Sequence, residues 1–595
     1  MFSRLSTRRF WCTNIIVGAL FLLITSELLQ LTVIRRPVLQ ELAQKQHHLR
    51  IVIPPMRGKI LDRYGKEFAT SLKVPSVYAI PRLIGRDRRE ELADKLSKIL
   101  KMDYPFILER LSRDKAFIWL RRKVSFEQAE KIRDLKDSAL GIVDEYRRFY
   151  PQGTSLAQIL GFADIDNRGI EGVELTLNRE LEGRPGLRCT KRDAFGREIK
   201  AFEMKLIPAV DGNSVYLTVD QYLQYIVETA LDRAYIKWKA KGAAAVLMEA
   251  KTGKILAIAN RPSFDPNQYE ASTADSRRDR AITDMYEPGS IFKIVTASAA
   301  INENKVTLDM PFNCENGKYR YGSRILHDVH AYGMLTFSEV IIKSSNIGVT
   351  KVAALLKPDL LYRYIKLFGF GAATHVDLPG EAPGFIRAPA QWSKTSPFNI
   401  PMGQEVQVTL LQMVTAMGVI ANGGHLVTPY IISRIEDQAG VVLKEKKPVI
   451  KRQVLRPEVA AQMQNILVRA VEEGTGKSAR IDGIAVGGKT GTAQKILSNG
   501  KGYSHSNFMS SFVGFGPAED PQLILAVVVD DPKPLYYGGT VAAPVFKEVI
   551  QAALFAIGYV SPEVKQKAFA PKSEVKAIQG NPPMILRPQG GGKGF

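Results

Sequence analysis

The sequence predicts an α/β domain whose sheet is built from segments far apart in the chain. An extended, β-rich pedestal and one N-terminal membrane-spanning helix precede it. Three observations predict this. The 595 residues exceed what one core supports, and 45% apolar with 9% aromatic residues suits a globular interior. Strand-like runs stand at both ends of the C-terminal half, with helical periodicity between them. A long apolar run near the N-terminus is bounded by basic residues.

Arg4, Arg8 and Arg9 precede the apolar stretch 10–34, and Arg35 and Arg36 close it. That length suits a bilayer-crossing helix. The alternative, a cleaved signal peptide, lacks a small-residue cleavage site after the apolar core. Basic residues at both ends orient the helix weakly. The chemistry argued below belongs outside the cell, so residues 1–9 are read as a cytoplasmic tail and the rest as external. Glu27, inside the span, either snorkels to the interface or contacts a partner membrane protein.

Residues 35–215 mix charged and apolar positions without long hydrophobic runs and are read as the pedestal. Arg57-Gly58-Lys59-Ile60-Leu61-Asp62-Arg63-Tyr64-Gly65 and Arg168-Gly169-Ile170-Glu171-Gly172-Val173-Glu174 read as turns between short strands. Helices are expected near 88–100 and 125–135. After Asp211-Gly212-Asn213 the texture changes, opening a domain over 216–560. Residues 219–239 have helical periodicity. Strands are expected at 243–249 and 254–259, joined by Ala250-Lys251-Thr252-Gly253, then a helix-rich stretch over 291–423. Strands at 508–515 and 523–529 flank the turn Pro517-Ala518-Glu519-Asp520-Pro521, and a last helix covers 543–557. Residues 561–595, rich in Lys, Pro and Gly, are expected to form a disordered tail.

The formal charge of +22 is spread along the chain and mixed with acids, which argues against a nucleic-acid partner. It fits an anionic envelope surface or simply a solvated basic exterior. Of three cysteines, Cys12 lies in the apolar run; Cys189 and Cys314 could pair, though nothing in the sequence requires it. Cys314, His327 and His330 are too loosely spaced, with no evident fourth ligand, to predict a metal. Gly474-Thr475-Gly476-Lys477-Ser478 imitates the end of a P-loop, but Val471 stands where the motif needs Gly.

Ser290-Ile291-Phe292-Lys293 follows Glu287-Pro288-Gly289. The Pro-Gly turn places Ser290 at a helix start, where free N–H groups favour developing negative charge. Lys293 falls on the same face one turn on. A buried lysine can shed its proton near neutral pH and activate a serine hydroxyl. Alone, Ser-x-x-Lys is expected by chance about once or twice in such a chain. Lys343-Ser344-Ser345-Asn346 adds a hydroxyl and an amide, and Lys489-Thr490-Gly491-Thr492 adds a cation, hydroxyls and a glycine before the late strands. Each has a bland reading as a cap or turn. The three together, in this order, match the active-site set of penicillin-binding proteins and serine β-lactamases.

From about Arg57 to Pro544 the chain resembles a class B penicillin-binding protein, most nearly the division-type (septal) transpeptidases of the penicillin-binding protein 3 family. The strings beginning Arg57 and Gly169 resemble the family's pedestal motifs. Tyr286-Glu287-Pro288-Gly289-Ser290, Gly487-Gly488-Lys489-Thr490-Gly491-Thr492-Ala493-Gln494 and Phe512-Val513-Gly514-Phe515 also fit. Asp279 departs from the Asn that the family more often carries. The resemblance implies the penicillin-binding transpeptidase fold, an antiparallel sheet flanked by helices. It implies a peptidoglycan D,D-transpeptidase that needs no metal, ATP or other cofactor and is inhibited by β-lactams. It also implies roles. Ser290 attacks the penultimate D-Ala carbonyl of a stem peptide, Lys293 takes its proton, and Ser344 relays a proton to the leaving amine. Asn346 holds the substrate amide and Lys293. Lys489, Thr490 and Thr492, in the strand segment with Gly491, bind the terminal carboxylate, and the N–H groups of Ser290 and Thr492 form the oxyanion hole.

The implied partners are stem peptides, a SEDS-family membrane glycosyltransferase and other division proteins. The anchor helix with Glu27, and the pedestal around Arg57 to Gly65, are the expected interface. The implied location is the bacterial cytoplasmic (inner) membrane, single-pass, catalytic domain outside. Rival readings are an elongation-type class B enzyme, a serine β-lactamase, a β-lactam sensor, for which the short cytoplasmic end leaves no room, and a non-catalytic scaffold for the glycosyltransferase. No glycosyltransferase domain precedes the pedestal, so one catalytic function is expected.

Overall fold

The computed structural model describes residues 2–39, 48–192, 198–321, 324–497 and 502–559. The tail expectation for 561–595 lies outside the described residues. The first helix runs Phe2–Leu29 and continues as a π turn over Gln30–Ile34. Within it Arg9–Ile34 is long and apolar enough to cross a membrane, with its side chains exposed. Gly538–Ala556 passes the same test of length and composition, but half of it is buried in the C-terminal domain.

The pedestal is less purely β than its sequence suggests. Its long strand Glu67–Ala79 pairs with Leu140–Phe149 and Ile118–Arg121. Helices Arg89–Leu100, Tyr104–Ser112 and Phe126–Asp134 cover it, and Val77, Leu96, Ile107, Leu120 and Ile132 make a core of their own. Two of these helices match the expected positions; Tyr104–Ser112 was hidden by its Pro105, which the first turn tolerates. The string at Arg168 is a bridge, Ala163 to Gly169, followed by the short helix Gly172–Thr176, not a turn between strands.

Arg57 and Glu174, one from each glycine-rich string, meet in the interior. Arg57 Nε donates to Glu174 Oε2 at 2.6 Å and Arg148 Nε to Glu174 Oε1 at 2.5 Å, all three buried. Burial alone would raise the Glu174 pKa, and the two guanidiniums outweigh it and hold it low. Asp62 Oδ1 accepts from the N–H of Tyr64 and Lys66. Arg57 and Asp62 are each 1% exposed. This corrects the expectation that they face a partner: they knit the pedestal together.

In the C-terminal domain, numbered here by itself, the strands are β1 (Gly242–Glu249), β2 (Ile255–Arg261), β3 (Gly487–Ile496), β4 (Tyr503–Gly516) and β5 (Leu523–Asp530). They form an antiparallel sheet in the order β2-β1-β5-β4-β3. The two halves of the sheet lie about 230 residues apart, which the expected layout required. Along β1, Ala244, Val246 and Met248 enter one core while Ala243, Ala245 and Leu247 enter the other. Both faces are covered, so the strand reads as continuously apolar. One face carries α1 (Gln221–Lys237) and the C-terminal helix Ala543–Ala556. The other carries α2 (Lys293–Asn302), α3 (Phe337–Ile342), α4 (Asn346–Leu367), α5 (Leu410–Ala421) and α6 (Pro457–Glu472). The helix-rich expectation for 291–423 needs one correction. Three small strand pairs interrupt it, Pro311–Asn313 with Met334–Thr336, Lys318–Tyr321 with Arg324–His327 and Phe385–Ile386 with Val406–Gln407. All three cysteines are free, so Cys189 and Cys314 do not pair.

Candidate active site

The three sequence motifs converge where α2, the α3–α4 turn and edge strand β3 meet. Gly289 has φ +58°, a left-handed conformation, and its N–H donates to the Gly403 carbonyl at 3.1 Å. That turn starts a short 3₁₀ segment, Gly289–Phe292, which runs into α2. Ser290 therefore opens the helical segment, half-buried at the cleft, while Ile291, Phe292 and Lys293 are buried beneath it.

Lys293 Nζ is fully buried. It lies 2.6 Å from the Ser344 carbonyl oxygen, 2.8 Å from Asn346 Oδ1 and 3.2 Å from Ser344 Oγ. Two of these three partners can only accept. A neutral amine satisfies them with its two N–H groups and keeps its lone pair for a hydroxyl proton. Burial, then the nearby Lys489 charge, pushes the Lys293 pKa well below the ordinary lysine value, against an opposing pull from Asp328.

Ser344 adopts φ +60°, costly for a non-glycine residue by about 1–2 kcal/mol. The strain turns its carbonyl onto Lys293, and its hydroxyl also lies 2.9 Å from Lys489 Nζ. One hydroxyl thus bridges two lysines. Ser345 caps α4 through the N–H of Gly348.

Lys489 is also fully buried, and burial pushes its pKa down to about 7. Two residues along β3, a side chain at Gly491 would collide with Pro288 O and the Ile291 side chain, both at 2.8 Å. Glycine is required there so that the strand can cross closely over the Ser290 turn. Thr490 Oγ1 is 2.8 Å from Thr475 Oγ1, and Thr492 Oγ1 accepts from the N–H of Gly538 at 3.0 Å. Because β3 is an edge strand, alternate backbone N–H and C=O groups face out of the sheet. The cleft thus offers buried amines, an ordered hydroxyl bridge, a strand edge and a cluster of threonines, a set suited to acyl transfer from a carboxylate-bearing peptide.

The structure brings together Ser290, Lys293, Ser344, Asn346, Lys489, Thr490, Gly491 and Thr492. It also adds residues that no motif announced. Asp328 accepts from Ser345 Oγ–H at 2.6 Å and from the backbone N–H groups of Asn346 and Ile347. His327 O accepts from Asn346 Nδ2 at 3.0 Å. The false P-loop supplies Thr475. Its glycines, rather than any phosphate contact, explain the string: a side chain at Gly474 would meet Ile342 O at 2.4 Å. Cys314 is buried 3.3 Å from Ser345 Oγ, while His327 and His330 are exposed, so the three do not gather.

Comparison with known proteins follows the same outline. Residues 243–551 match the penicillin binding protein transpeptidase domain, and residues 52–217 the penicillin-binding protein dimerisation domain. The chain is 35% identical to stage V sporulation protein D of Bacillus subtilis, over 92% of this chain and 85% of that protein. It is 31% identical to the peptidoglycan D,D-transpeptidase FtsI of Escherichia coli K12, over 84% and 83%. Penicillin binding protein 3 of Mycobacterium tuberculosis, solved with aztreonam, superposes with a TM-score of 0.67 at 27% identity, over 85% of this chain and 97% of that one.

Proposed function

The chain belongs to the class B penicillin-binding proteins, serine-type peptidoglycan D,D-transpeptidases, and from that premise we propose that Ser290 is its nucleophile and that it crosslinks wall peptides at the division septum. The observation that carries the site reading is the fully buried Lys293 amine, one helical turn from Ser290 and held by Ser344 and Asn346.

In the first half-reaction Ser290 Oγ bonds to the penultimate D-Ala carbonyl carbon and its proton passes to Lys293. The oxyanion is held by the N–H groups of Ser290 and Thr492. The bond to the terminal D-Ala nitrogen then breaks, and a proton delivered through the Ser344 hydroxyl lets D-Ala leave as a free amine. Lys489, with Thr490 and Thr492, holds the departing carboxylate. In the second half-reaction the amine of another stem peptide attacks the acyl carbon, its proton returns by the same route, and Ser290 is released. The peptide-bond energy is conserved in the ester, so the crosslink forms without ATP. β-Lactams enter the first step and stop there.

The anchor helix is read as single-pass in the bacterial cytoplasmic membrane, N-terminus inside. A SEDS-family glycosyltransferase is the proposed membrane partner, with Glu27 as a polar contact. The buried Arg57 and Asp62 play no part in that surface. The likeness of the motif strings to division-type enzymes supports the septal role. The 35% identity to a protein named for stage V of sporulation supports a second reading, a wall transpeptidase of spore development.

Labelling with a fluorescent penicillin, followed by intact-mass measurement, tests the site. One adduct is expected, lost in Ser290→Ala; an adduct that persists in that variant overturns the assignment. A fluorescently tagged chain that gathers at mid-cell in dividing cells supports the septal role. Appearance only in sporulating cells selects the second reading, and a distribution along the side wall selects elongation.

A further inference from the structure

A second cavity lies away from the cleft and shares no residue with it. Its volume is about 180 Å³, and it is bounded by the end of α4, by α5 and by the strand pair His425–Val427 with Ile450–Gln453. Phe368, Leu426 and Val427, all buried, line it. An apolar cavity of about 150 Å³ can hold benzene, so this one is sized for a single ring or a short branched chain.

Two polar residues of α5 also line the cavity but are engaged, Gln412 Nε2 donating to Ala372 O and Pro383 O, and Thr415 Oγ1 to Leu411 O. Thr374 lines it, is 7% exposed, and its Oγ1 has no hydrogen-bond partner among the described residues. Buried hydroxyls ordinarily find partners, so an orphan beside a cavity marks a place for one. Lys451 and Arg452 stand on the rim. Lys451 Nζ donates to Thr374 O at 2.8 Å, and the Arg452 guanidinium has no carboxylate partner among the described residues. The neighbouring acids are engaged: Glu381 accepts from the N–H groups of Thr374 and His375, and Asp377 pairs with Lys446.

We propose that this cavity is a binding site for a small carboxylate with an apolar body of about one ring, and that filling it alters acylation at the distant cleft. The apolar lining takes the body, Thr374 Oγ1–H and the two rim cations take the carboxylate, and a neutral or cationic analogue lacks that attraction. The coupling has a physical route. Phe368 ends the second half of α4, which a break at Lys357 (φ +63°) and Pro358 separates from the half that begins at Asn346, so the route runs through side-chain packing rather than along one rigid helix. Phe370 packs on Phe292, 5.2 Å between ring centres, directly beside Lys293 in sequence.

Benzoate and its neutral isostere benzamide are suitable probes, with saturation-transfer NMR on the full chain in detergent. The protein is first acylated with penicillin, so that the cleft cannot take the carboxylate. Saturable benzoate binding is expected, at least tenfold weaker for benzamide and at least tenfold weaker in the exposed-rim double variant Lys451→Met/Arg452→Met. Thr374→Val should weaken benzoate several-fold. Absence of saturable binding, equal binding of benzamide, or undiminished binding by the rim variant overturns the site. For the coupling, benzoate should change the acylation rate of wild type at least twofold beyond its effect on the rim variant. Identical effects on both would report only competition at the cleft and overturn the coupling.

Discussion

Replacing Asp328 by Asn tests whether the Lys293 amine, proposed here as the base, is positioned from outside its own motif. The carboxylate accepts three hydrogen bonds, from Ser345 Oγ–H and from the N–H groups of Asn346 and Ile347. The amide is the same size, and its one carbonyl can keep the two N–H groups while its NH₂ faces Ser345 Oγ. What is lost is the charge. Charge-assisted bonds are about twice as strong as neutral ones, so three of them weaken by a total of about 2–3 kcal/mol. If most of that serves to fix Asn346, and through it Lys293 Nζ at 2.8 Å, acylation slows about 30- to 150-fold. The pH profile separates this from a general loss of structure. The Asp328 charge pulls the Lys293 pKa upward, so its removal lets that pKa fall further and the rising limb of acylation moves to lower pH. Stopped-flow acylation by a fluorescent penicillin from pH 4 to 9 reads both quantities. A normal plateau rate, or a lowered plateau with an unmoved limb, would refute the reasoning.

Lys293→Arg should abolish acylation and leave the fold intact, because a guanidinium stays protonated at any usable pH; near-normal labelling would mean that Lys293 is not the base. For wild type, kcat/KM should fall as pH rises through about 7, where Lys489 gives up the proton that attracts the carboxylate. A β-lactam ester without that charge should lack this limb, and an identical limb for both probes would assign it elsewhere. Asp279 is buried, with Asn260 on Oδ1, no described partner on Oδ2 and Asp284 nearby, and burial raises its pKa from 3.8 to about 7. The folded state then holds its proton more tightly than the unfolded one, so Asp279 costs stability increasingly as pH rises from 4 to 7. Asp279→Asn should stabilise by roughly 2–4 kcal/mol at pH 8 and by almost nothing at pH 4 in urea titrations; a pH-independent effect would show that the carboxyl is not titrating.

The sheet and the motifs were legible because their signals are local. β1, β2 and β5 are buried on both faces and announce themselves as apolar runs, and Ser290 and Lys293 lie one turn apart. Capped helices such as Phe126–Asp134, with Ser125 and Gln128 forming a capping box, were equally readable. What the sequence hid was set by tertiary contact. Asp328 reaches the Ser345-Asn346 turn across an intervening strand and helix, so no spacing rule links them. Thr475 sat inside a string that imitates a phosphate loop, and only its 2.8 Å approach to Thr490 reveals its place. The pedestal strings misled for a related reason. Charged residues flanked by glycines look like exposed turns, whereas Arg57 and Glu174 are charged because they pair with each other in the interior.

The same pairing bears on how the pedestal serves the enzyme. Ser214–Leu217 and Ile60–Leu61 lie side by side in parallel, Ile60 against Val215, and Ile432–Glu436 from the far part of the C-terminal domain adds to the other edge of Ser214–Leu217. One sheet therefore runs from the pedestal strands into a pair that belongs to the catalytic half. Asp62 Oδ2 meanwhile accepts from the N–H of Gln221 at 3.3 Å, at the start of α1. A flexible linker would leave the site free to swing relative to the anchor. Backbone pairing across the junction removes that freedom, because any rotation would have to break several ladder hydrogen bonds at once. Charge reversal at Arg57 would leave Glu174 beside a like charge in the interior, a change worth several kcal/mol. It would dismantle this junction before it could report on any membrane partner, so substitutions at the exposed Tyr64, or in the anchor helix, are the ones that address the interface.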